Sequence, residues 1–452
     1  MTTFSKAMTV AVRAFAVGAA LLWTAAGAAA QTVSISPELA LATFDSAWNR
    51  INTTHYDTSF AGVDWDAVRA ELRPAAAQSE SLGSLRAVIR DMLSRLGESH
   101  YTLIPYDLVD AMDPGVEDAG GGSGGLGIEM ALVEGRLVVW RVDRSGAAAL
   151  AGVRPGWVVE SIGSYRPADA LARMTELEEE GERRNALTQF LYAARAQAEG
   201  PAGSVVEATF LDGRDRALTL RLERRLRPGE VVRFGALPPF VSHVEHWRVP
   251  DGVGCIGVIR FNVWMAPLAA KIDEAVDRVR NCRGIVMDLR GNPGGVAGMV
   301  MGVAGHFISE RVALGTMRRR GTELNFVANP RRVDTHSRAV EPFAGPLAIL
   351  IDGMSVSTSE IFAGGMQAVG RARVFGQTSA GQALPAGTYR LPDGDVLMHV
   401  IADFTAAGGT RIEGRGVIPD VVVEPGRRDL LNGGDPVLDA AVGWIRGGPD
   451  SG

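Results

Sequence analysis

The chain has 452 residues, of which 46% are apolar, so it is long enough for two or three domains with sizeable cores. Its formal net charge of −6 gives no reason to expect a nucleic-acid partner. The cationic side chains are nearly all arginines, because the chain contains two lysines, Lys6 and Lys271. Chemistry that depends on a lysine side chain therefore has few candidates.

The first 30 residues have the pattern of a secretory signal peptide. Lys6 and Arg13 form a basic start, the apolar run 14–23 follows, and three alanines precede Gln31. The alternative is a membrane anchor that is kept, although the apolar run is short for a span. We expect cleavage near Ala30 and a periplasmic or secreted mature protein without a membrane span.

The chain has two cysteines, Cys255 and Cys282. Each precedes an apolar run that we interpret as a strand, and the two strands are expected to be parallel neighbours. Export permits a disulfide between them. Two buried free thiols are the alternative, and the spacing fits neither a redox pair nor a zinc site.

The first part of the mature chain, residues 31–105, is predicted to be helical. Apolar residues recur at helical spacing, as in 85–96, and Gly97 ends the last helix. The pair Ser99-His100 follows closely. Taken alone, His100 fits an ordinary surface or core histidine.

Residues 120–225 are predicted to form a second unit. The run Gly125-Leu126-Gly127 opens a strand, a short alanine-rich helix follows, and Gly-Val-Arg-Pro-Gly-Trp-Val-Val from Gly152 leads into another strand. This order resembles a PDZ domain, in which backbone N–H groups of the glycine loop bind the terminal carboxylate of a peptide. The resemblance makes Gly125, Leu126 and Gly127 candidate substrate-binding residues. We refer to 120–225 as the PDZ-like segment.

Residues 226–430 alternate apolar strands with amphipathic helices, which predicts an α/β core, and 431–452 are expected to be a C-terminal helix and tail. His243 and His246 have the spacing of metal ligands, but no third ligand is evident nearby. We expect no metal and no other cofactor.

Hydroxyl residues cluster after the apolar run 347–351, which predicts a buried strand, and the turn signal Asp352-Gly353. A helical pattern follows. The hydroxyl residues are Ser355, Ser357, Thr358 and Ser359. A serine at a strand-to-helix turn is lifted clear of the sheet and lies near N–H groups, as an acyl-transfer nucleophile requires. The alternative is a serine that only caps the helix.

Three separated motifs resemble the C-terminal processing and tricorn-core family of serine peptidases. They are Asp288-Leu289-Arg290-Gly291-Asn292-Pro293-Gly294-Gly295, Ser357-Thr358-Ser359-Glu360-Ile361 and Gly416-Val417-Ile418-Pro419-Asp420. The resemblance implies a mixed α/β fold: an N-terminal helical region, an inserted PDZ domain and a crotonase-like peptidase core. It also implies that Ser357 is the nucleophile, with an oxyanion hole made by the N–H groups of Gly295 and Thr358.

The chain departs from the branch of this family that uses a lysine base. Gln382 stands at the lysine position, and an amide cannot accept a proton near neutral pH. The tricorn-like branch uses a Ser-His pair before the PDZ domain and a glutamate after the nucleophile. Ser99-His100 and Glu413 match those positions, so the resemblance implies His100 as base. Gln382 is expected to line the substrate site.

The motifs together predict an exported serine endopeptidase that acts on protein or peptide substrates through an acyl-enzyme. The alternative is a catalytically inactive relative that binds peptides through the PDZ-like segment. A third hypothesis, an esterase of the α/β-hydrolase type, is weak because no Gly-x-Ser-x-Gly surrounds Ser357.

Overall fold

The computed structural model describes residues 33–107 and 123–448, apart from residues 175, 178, 234 and 236–239. The predicted signal peptide, residues 1–30, lies outside the described residues. Within them, no helix combines the length and the apolar character needed to cross a membrane. The chain has the predicted mixed α/β class, with helices at its start, a β-rich second unit and a larger α/β unit.

Three helices form the N-terminal region, and each begins at a side chain that caps it. These helices are α1 (Pro37–Thr54), α2 (Trp65–Ala77) and α3 (Leu82–Ser94). Ser36, Asp64 and Ser81 accept hydrogen bonds from N–H groups of the first turns. The short strand β1 (Thr102–Ile104) follows the third helix.

The PDZ-like segment contains strands β2 (Ser123–Gly125), β3 (Ile128–Val133) and β4 (Arg136–Val142), then α4 (Ala147–Leu150), β5 (Val158–Ile162), α5 (Pro167–Met174) and α6 (Glu180–Ala198). It continues through β6 (Glu199–Pro201), β7 (Val205–Leu211), β8 (Ala217–Glu223) and β9 (Arg225–Leu226). Five of these strands form an antiparallel sheet in the order β3-β4-β5-β7-β8. β3 is therefore an edge strand, and α6 packs beside it.

The remaining elements begin with β10 (Glu230–Val232), β11 (Phe240–Ser242), β12 (Val244–Asp251), β13 (Gly254–Phe261), α7 (Ala269–Val279), β14 (Gly284–Asp288) and α8 (Met299–Ala304). Next come β15 (Val312–Arg319), β16 (Thr322–Ala328), β17 (Leu347–Ile351), α9 (Thr358–Ala368), β18 (Arg373–Gly376), β19 (Ala386–Arg390), β20 (Val396–Val400) and β21 (Asp403–Ala406). The last are β22 (Val421–Val422), α10 (Arg427–Leu431) and α11 (Pro436–Gly447).

A six-stranded sheet in the order β12-β13-β14-β17-β18-β22 forms the core. Its strands are parallel except for β12, which runs antiparallel to β13. α7 and α9 cover one face, and α11 packs its apolar side on the other. Burial on both faces explains why the central strands are continuous apolar runs.

Two connections bear on the site. Cys255 and Cys282 form a disulfide with Cα atoms 4.7 Å apart, joining the starts of the parallel neighbours β13 and β14. β1 pairs antiparallel with β20, from Thr102 opposite Met398 to Ile104 opposite Val396. The segment that carries Ser99 and His100 is thereby held against the C-terminal half of the chain.

Candidate active site

The site lies where two loops leave the same edge of the central sheet. β14 and β17 are parallel neighbours, so the loops that follow them emerge side by side. The two loops are tied together: Val356 N–H donates to the Asn292 carbonyl at 3.0 Å, and Gly291 N–H donates to Asp352 Oδ1 at 3.0 Å. The glycine-rich motif is therefore fixed against the hydroxyl cluster.

The three serines of the cluster have different environments. Ser355 and Ser359 are fully buried, and their hydroxyls donate to the carbonyls of Leu289 at 2.9 Å and Asn292 at 3.1 Å. Ser357 is partly exposed, and its hydroxyl makes no hydrogen bond with the part of the chain that the structure describes. Its backbone has φ 56° and ψ −116°, an uncommon conformation for a residue with a Cβ. Of the three, Ser357 is the hydroxyl left free to react.

Gly295 lies on the loop after β14, and Thr358 begins α9 directly after Ser357. Among the described residues, neither of their N–H groups donates to a protein acceptor. The Thr358 hydroxyl donates to the Gly295 carbonyl at 2.9 Å and holds the two loops together. A Cβ on Gly294 would lie 2.7 Å from the Ser357 Cβ, so this close approach requires glycine.

Ser99 and His100 form a hydrogen-bonded pair. The Ser99 hydroxyl lies 2.7 Å from His100 Nδ1, which leaves Nε2 without a hydrogen bond among the described residues. His100 has φ 63°, so its backbone is also strained. Burial disfavours the imidazolium and lowers the pKa of His100 to about 4. The imidazole is therefore neutral near pH 7 and able to accept a proton.

Glu413 connects the His100 segment to the nucleophile loop. One carboxylate oxygen accepts from Ser99 N–H at 3.1 Å, and the other accepts from Ala383 N–H at 2.7 Å. The neighbouring Gln382 carbonyl accepts from Ser357 N–H at 3.0 Å. Burial raises the pKa of Glu413, and the hydrogen bonds from Ser99 and Ala383 oppose that rise. Hydrogen bonds thus run from the Ser99-His100 pair through Glu413 to the loop 381–383 and on to the Ser357 backbone, whereas among the described residues His100 Nε2 and the Ser357 hydroxyl are not hydrogen-bonded to each other.

The Gln382 side chain points to helix α6 of the PDZ-like segment, where its Nε2 donates to Asn185 Oδ1 at 2.9 Å. The Thr188 hydroxyl, one turn further along α6, donates to the carbonyl of Gly353, just before the nucleophile. Lys271 pairs with Glu230 at 2.6 Å, with both side chains about half exposed. Gln382 is thus a contact between the core and the PDZ-like segment.

The expected peptide-binding loop lines a cavity of about 850 Å³ between the PDZ-like segment and the core. Leu126 N–H donates to the Ala198 carbonyl at 3.0 Å, so one of the three expected N–H groups is already occupied. The Arg227 stem lies over Gly125, where an added Cβ would come within 3.4 Å of it. Arg227 and Arg195 both pair with Glu199 beside this loop.

Glu360 is a site residue to which the sequence reasoning gave no role, although it belongs to the quoted Ser-x-Ser-Glu motif. Its side chain is fully buried behind Ser357 and accepts a hydrogen bond from Ser357 N–H at 2.9 Å. Burial raises the pKa of Glu360 to about 7. A glutamate three residues after a serine that begins a helix is a recognisable capping signal, and that signal could have drawn attention to it.

Comparison with known proteins gives two family matches. Residues 255–423 match peptidase family S41, and residues 41–94 match the tricorn protease C1 domain. The carboxyl-terminal-processing peptidase 2 of Arabidopsis thaliana is 26% identical, over an alignment that covers 83% of this chain and 67% of the relative. The carboxyl-terminal-processing protease of Synechocystis sp. is 24% identical, with coverage of 89% and 86%.

Solved structures show the same fold. The photosystem II D1 C-terminal processing protease aligns with a TM-score of 0.56 and 20% identity, covering 85% of this chain and 93% of its own. Mature CPAF aligns with a TM-score of 0.58 and 12% identity, with coverage of 92% and 99%. The S41 match over residues 255–423 and the named relatives agree: this part of the chain is an S41 peptidase domain, and the chain is a serine-type peptidase.

Proposed function

We propose that the chain is an exported endopeptidase in which Ser357 is the nucleophile and His100 is the base. The observation that carries the proposal is the contrast among the three serines of the cluster. The hydroxyls of Ser355 and Ser359 are buried and hydrogen-bonded, whereas that of Ser357 is partly exposed and has no hydrogen-bond partner within the described ranges. An acyl-transfer nucleophile needs a hydroxyl that substrate can reach.

In the proposed reaction, His100 Nε2 takes the proton of the Ser357 hydroxyl as its oxygen attacks the scissile carbonyl carbon. The N–H groups of Gly295 and Thr358, which donate to no acceptor in the described part of the chain, stabilise the negative charge that develops on the carbonyl oxygen. His100 then returns the proton to the leaving amine, and an acyl-enzyme remains. Water attacks this ester with His100 again as base, which releases the acid product and restores Ser357.

Ser99 and Glu413 act in this scheme by orienting His100. In this scheme His100 Nδ1–H donates to the Ser99 hydroxyl oxygen, so the Nε2 lone pair is available to accept the proton. Glu413 fixes Ser99 through its N–H group. Third groups of this kind orient the base in other serine peptidases.

The PDZ-like segment supplies substrate recognition in this proposal. A peptide would add as a strand to the free edge of β3, beside α6, with its terminal carboxylate at the Gly125–Gly127 loop. Leu126 N–H already donates to the Ala198 carbonyl. The terminal carboxylate of the peptide would therefore bind Gly127 N–H and the guanidinium groups of Arg195 and Arg227. The substrates are therefore proteins or peptides with a free C-terminus.

The disulfide between Cys255 and Cys282 supports the exported location, since disulfides persist in oxidising compartments. The signal-peptide prediction leads to a specific product. The secreted or periplasmic protein should begin at Gln31, and N-terminal sequencing of the exported material checks this. An N-terminus at Met1 on exported protein would contradict it.

Fluorophosphonate labelling of the mature protein tests the central proposal. A fluorophosphonate should modify Ser357, with the labelled peptide identified by mass spectrometry, and Ser357→Ala should remove both label and peptidase activity. Label on Ser355 or Ser359, or label that persists in Ser357→Ala, would contradict the assignment. A chain that only binds peptides would not be labelled at all.

A further inference from the structure

The carboxylate of Glu360 holds two loops of the site together. It is fully buried and accepts four hydrogen bonds: from Ser357 N–H at 2.9 Å, from the Ser379 hydroxyl at 2.6 Å, and from the N–H groups of Gly381 at 2.7 Å and Gln382 at 3.0 Å. A helix cap needs the first of these bonds alone. The other three come from a different loop, so capping does not account for the arrangement.

Three consecutive N–H groups on that loop bind two carboxylates. Gly381 and Gln382 donate to Glu360, and Ala383 donates to Glu413. Glu360 is bound to the N–H of Ser357, and Glu413 to the N–H of Ser99. The backbone of 381–383 is therefore a bridge from the nucleophile to the segment that carries the base.

We infer that Glu360 is a positioning residue for the peptidase reaction, which fixes Ser357 relative to His100 through the 381–383 bridge. The inference rests on the proposed roles of Ser357 and His100. In this chain the loop in which relatives carry a lysine acts through its backbone N–H groups. The Gln382 side chain points away to Asn185.

The backbone of Ser357 has a strained conformation that the hydrogen bond to the Glu360 carboxylate helps to maintain. A residue with a Cβ at φ 56° and ψ −116° is strained, and such a conformation persists only where its surroundings impose it. Glu360 Oε2 and the Gln382 carbonyl both accept from Ser357 N–H and so oppose its rotation to a relaxed conformation. A small displacement of a reacting group is costly for catalysis, since about 1 Å reduces a rate by about 100-fold.

The test is Glu360→Gln in the full mature chain. Glutamine has the same shape, but whichever way its amide points, its NH₂ faces one of the N–H donors of the bridge, so the bridge must shift. We expect kcat to fall about 100-fold with KM changed less than about twofold, and the rate of fluorophosphonate labelling of Ser357 to fall in parallel. A labelling rate equal to that of the wild type would overturn the inference.

Gln367→Ala is the matched control, because Gln367 lies on the same helix and bonds Ile418 and Asp420 away from the nucleophile. It should leave kcat and the labelling rate unchanged even if it lowers the unfolding temperature as much as Glu360→Gln does. Equal losses of kcat in both variants would mean that Glu360 acts only on folding.

If Glu360→Gln does not fold, Ser379→Ala carries the same test, because it removes one donor and keeps the carboxylate. A lower labelling rate is again expected, and an unchanged rate would overturn the inference. If wild-type Ser357 is itself not labelled, the proposed function fails. If it is labelled and these variants match its rate, the positioning role alone fails.

Discussion

The residues of the candidate site differ in how far their side chains are exposed to water. The proposed nucleophile Ser357 is partly exposed, whereas the proposed base His100 lies in surroundings that disfavour its charged form. Lys271 lies in an ion pair with Glu230, so it is not placed as a neutral base. Substitutions at these three positions therefore distinguish a histidine base from a lysine base.

His100→Ala should reduce kcat about as much as Ser357→Ala, by roughly 10⁴-fold or more, because members of one catalytic unit are not additive. Lys271→Ala should stay within about twofold of the wild type. Steady-state hydrolysis of an unstructured protein substrate measures all three. A His100→Ala variant that keeps most of its activity would exclude His100 as the base.

The pH dependence of kcat/KM should show two steps, each lowering activity as the pH falls. Protonation of Glu360, with a pKa raised to about 7, weakens its four hydrogen bonds, and protonation of His100, with a pKa lowered to about 4, removes the base. Tyr192, which also interacts with Glu360, stays neutral in this range because burial raises its pKa.

The pH profile of Glu360→Gln tests whether Glu360 causes the upper step. The upper step should be absent and the lower one kept, since glutamine does not titrate. A single step near 6.5, the ordinary pKa of histidine, in both proteins would mean that neither burial effect operates.

Arg227 should determine the preference for free C-termini. In a Ser357→Ala background, Arg227→Met should weaken binding of a peptide acid by about 10- to 100-fold, the value of a charge-assisted hydrogen bond, and leave the matching peptide amide unaffected. Fluorescence anisotropy measures both affinities. Arg225→Met is the control, because Arg225 lies two residues earlier and its side chain is exposed. Equal weakening of acid and amide would refute the carboxylate contact.

At the scale of elements, the site depends on two loops that follow adjacent parallel strands. The loop after β14 approaches the Ser357 loop so closely that Gly294 has no room for a side chain. Gly291, in the same loop, also has positive φ, at 71°, but an added Cβ there would meet nothing within 4 Å. Comparing substitutions at the two glycines therefore separates the effect of backbone strain from the effect of steric contact.

Gly294→Ala should lower kcat by at least about 100-fold, because its Cβ would displace Ser357 and the Thr358 N–H group. Gly291→Ala should cost stability of about 1–3 kcal/mol, from strain, with little change in kcat for the folded protein. Kinetics normalised to labelled Ser357, with thermal unfolding, distinguish these outcomes. Similar kcat values for the two variants would contradict the close contact.

Sequence patterns predicted the elements best where periodicity was strong. The run 347–351 is a strand with those bounds. The helix that follows the Asp288–Gly295 motif is short, Met299–Ala304, because glycines at 298, 302 and 305 weaken helical continuity there. The role of Glu360 was not predictable from spacing, because three of its four donors come from a loop about 20 positions away.

At the scale of the whole molecule, the disulfide closes a loop of 27 positions between two central strands. The double variant Cys255→Ser/Cys282→Ser should lose about 3–4 kcal/mol of unfolding free energy, the chain-entropy value for a loop of this length. Urea titration of wild type and variant gives the difference. The wild type with reductant should match the variant, and an unchanged midpoint in both cases would mean that the bridge is not formed.

The arrangement of the site along the chain has a consequence for the timing of activity during synthesis. Ser99 and Glu413 are 314 positions apart, and β1 finds its partner strand only near residue 396. At ribosomal rates of about 5–20 residues per second, the segment that carries the proposed base waits on the order of half a minute for Glu413 to be made. With the proposed catalytic residues, a nascent chain therefore has no assembled site and no peptidase activity until nearly all of it has been translated.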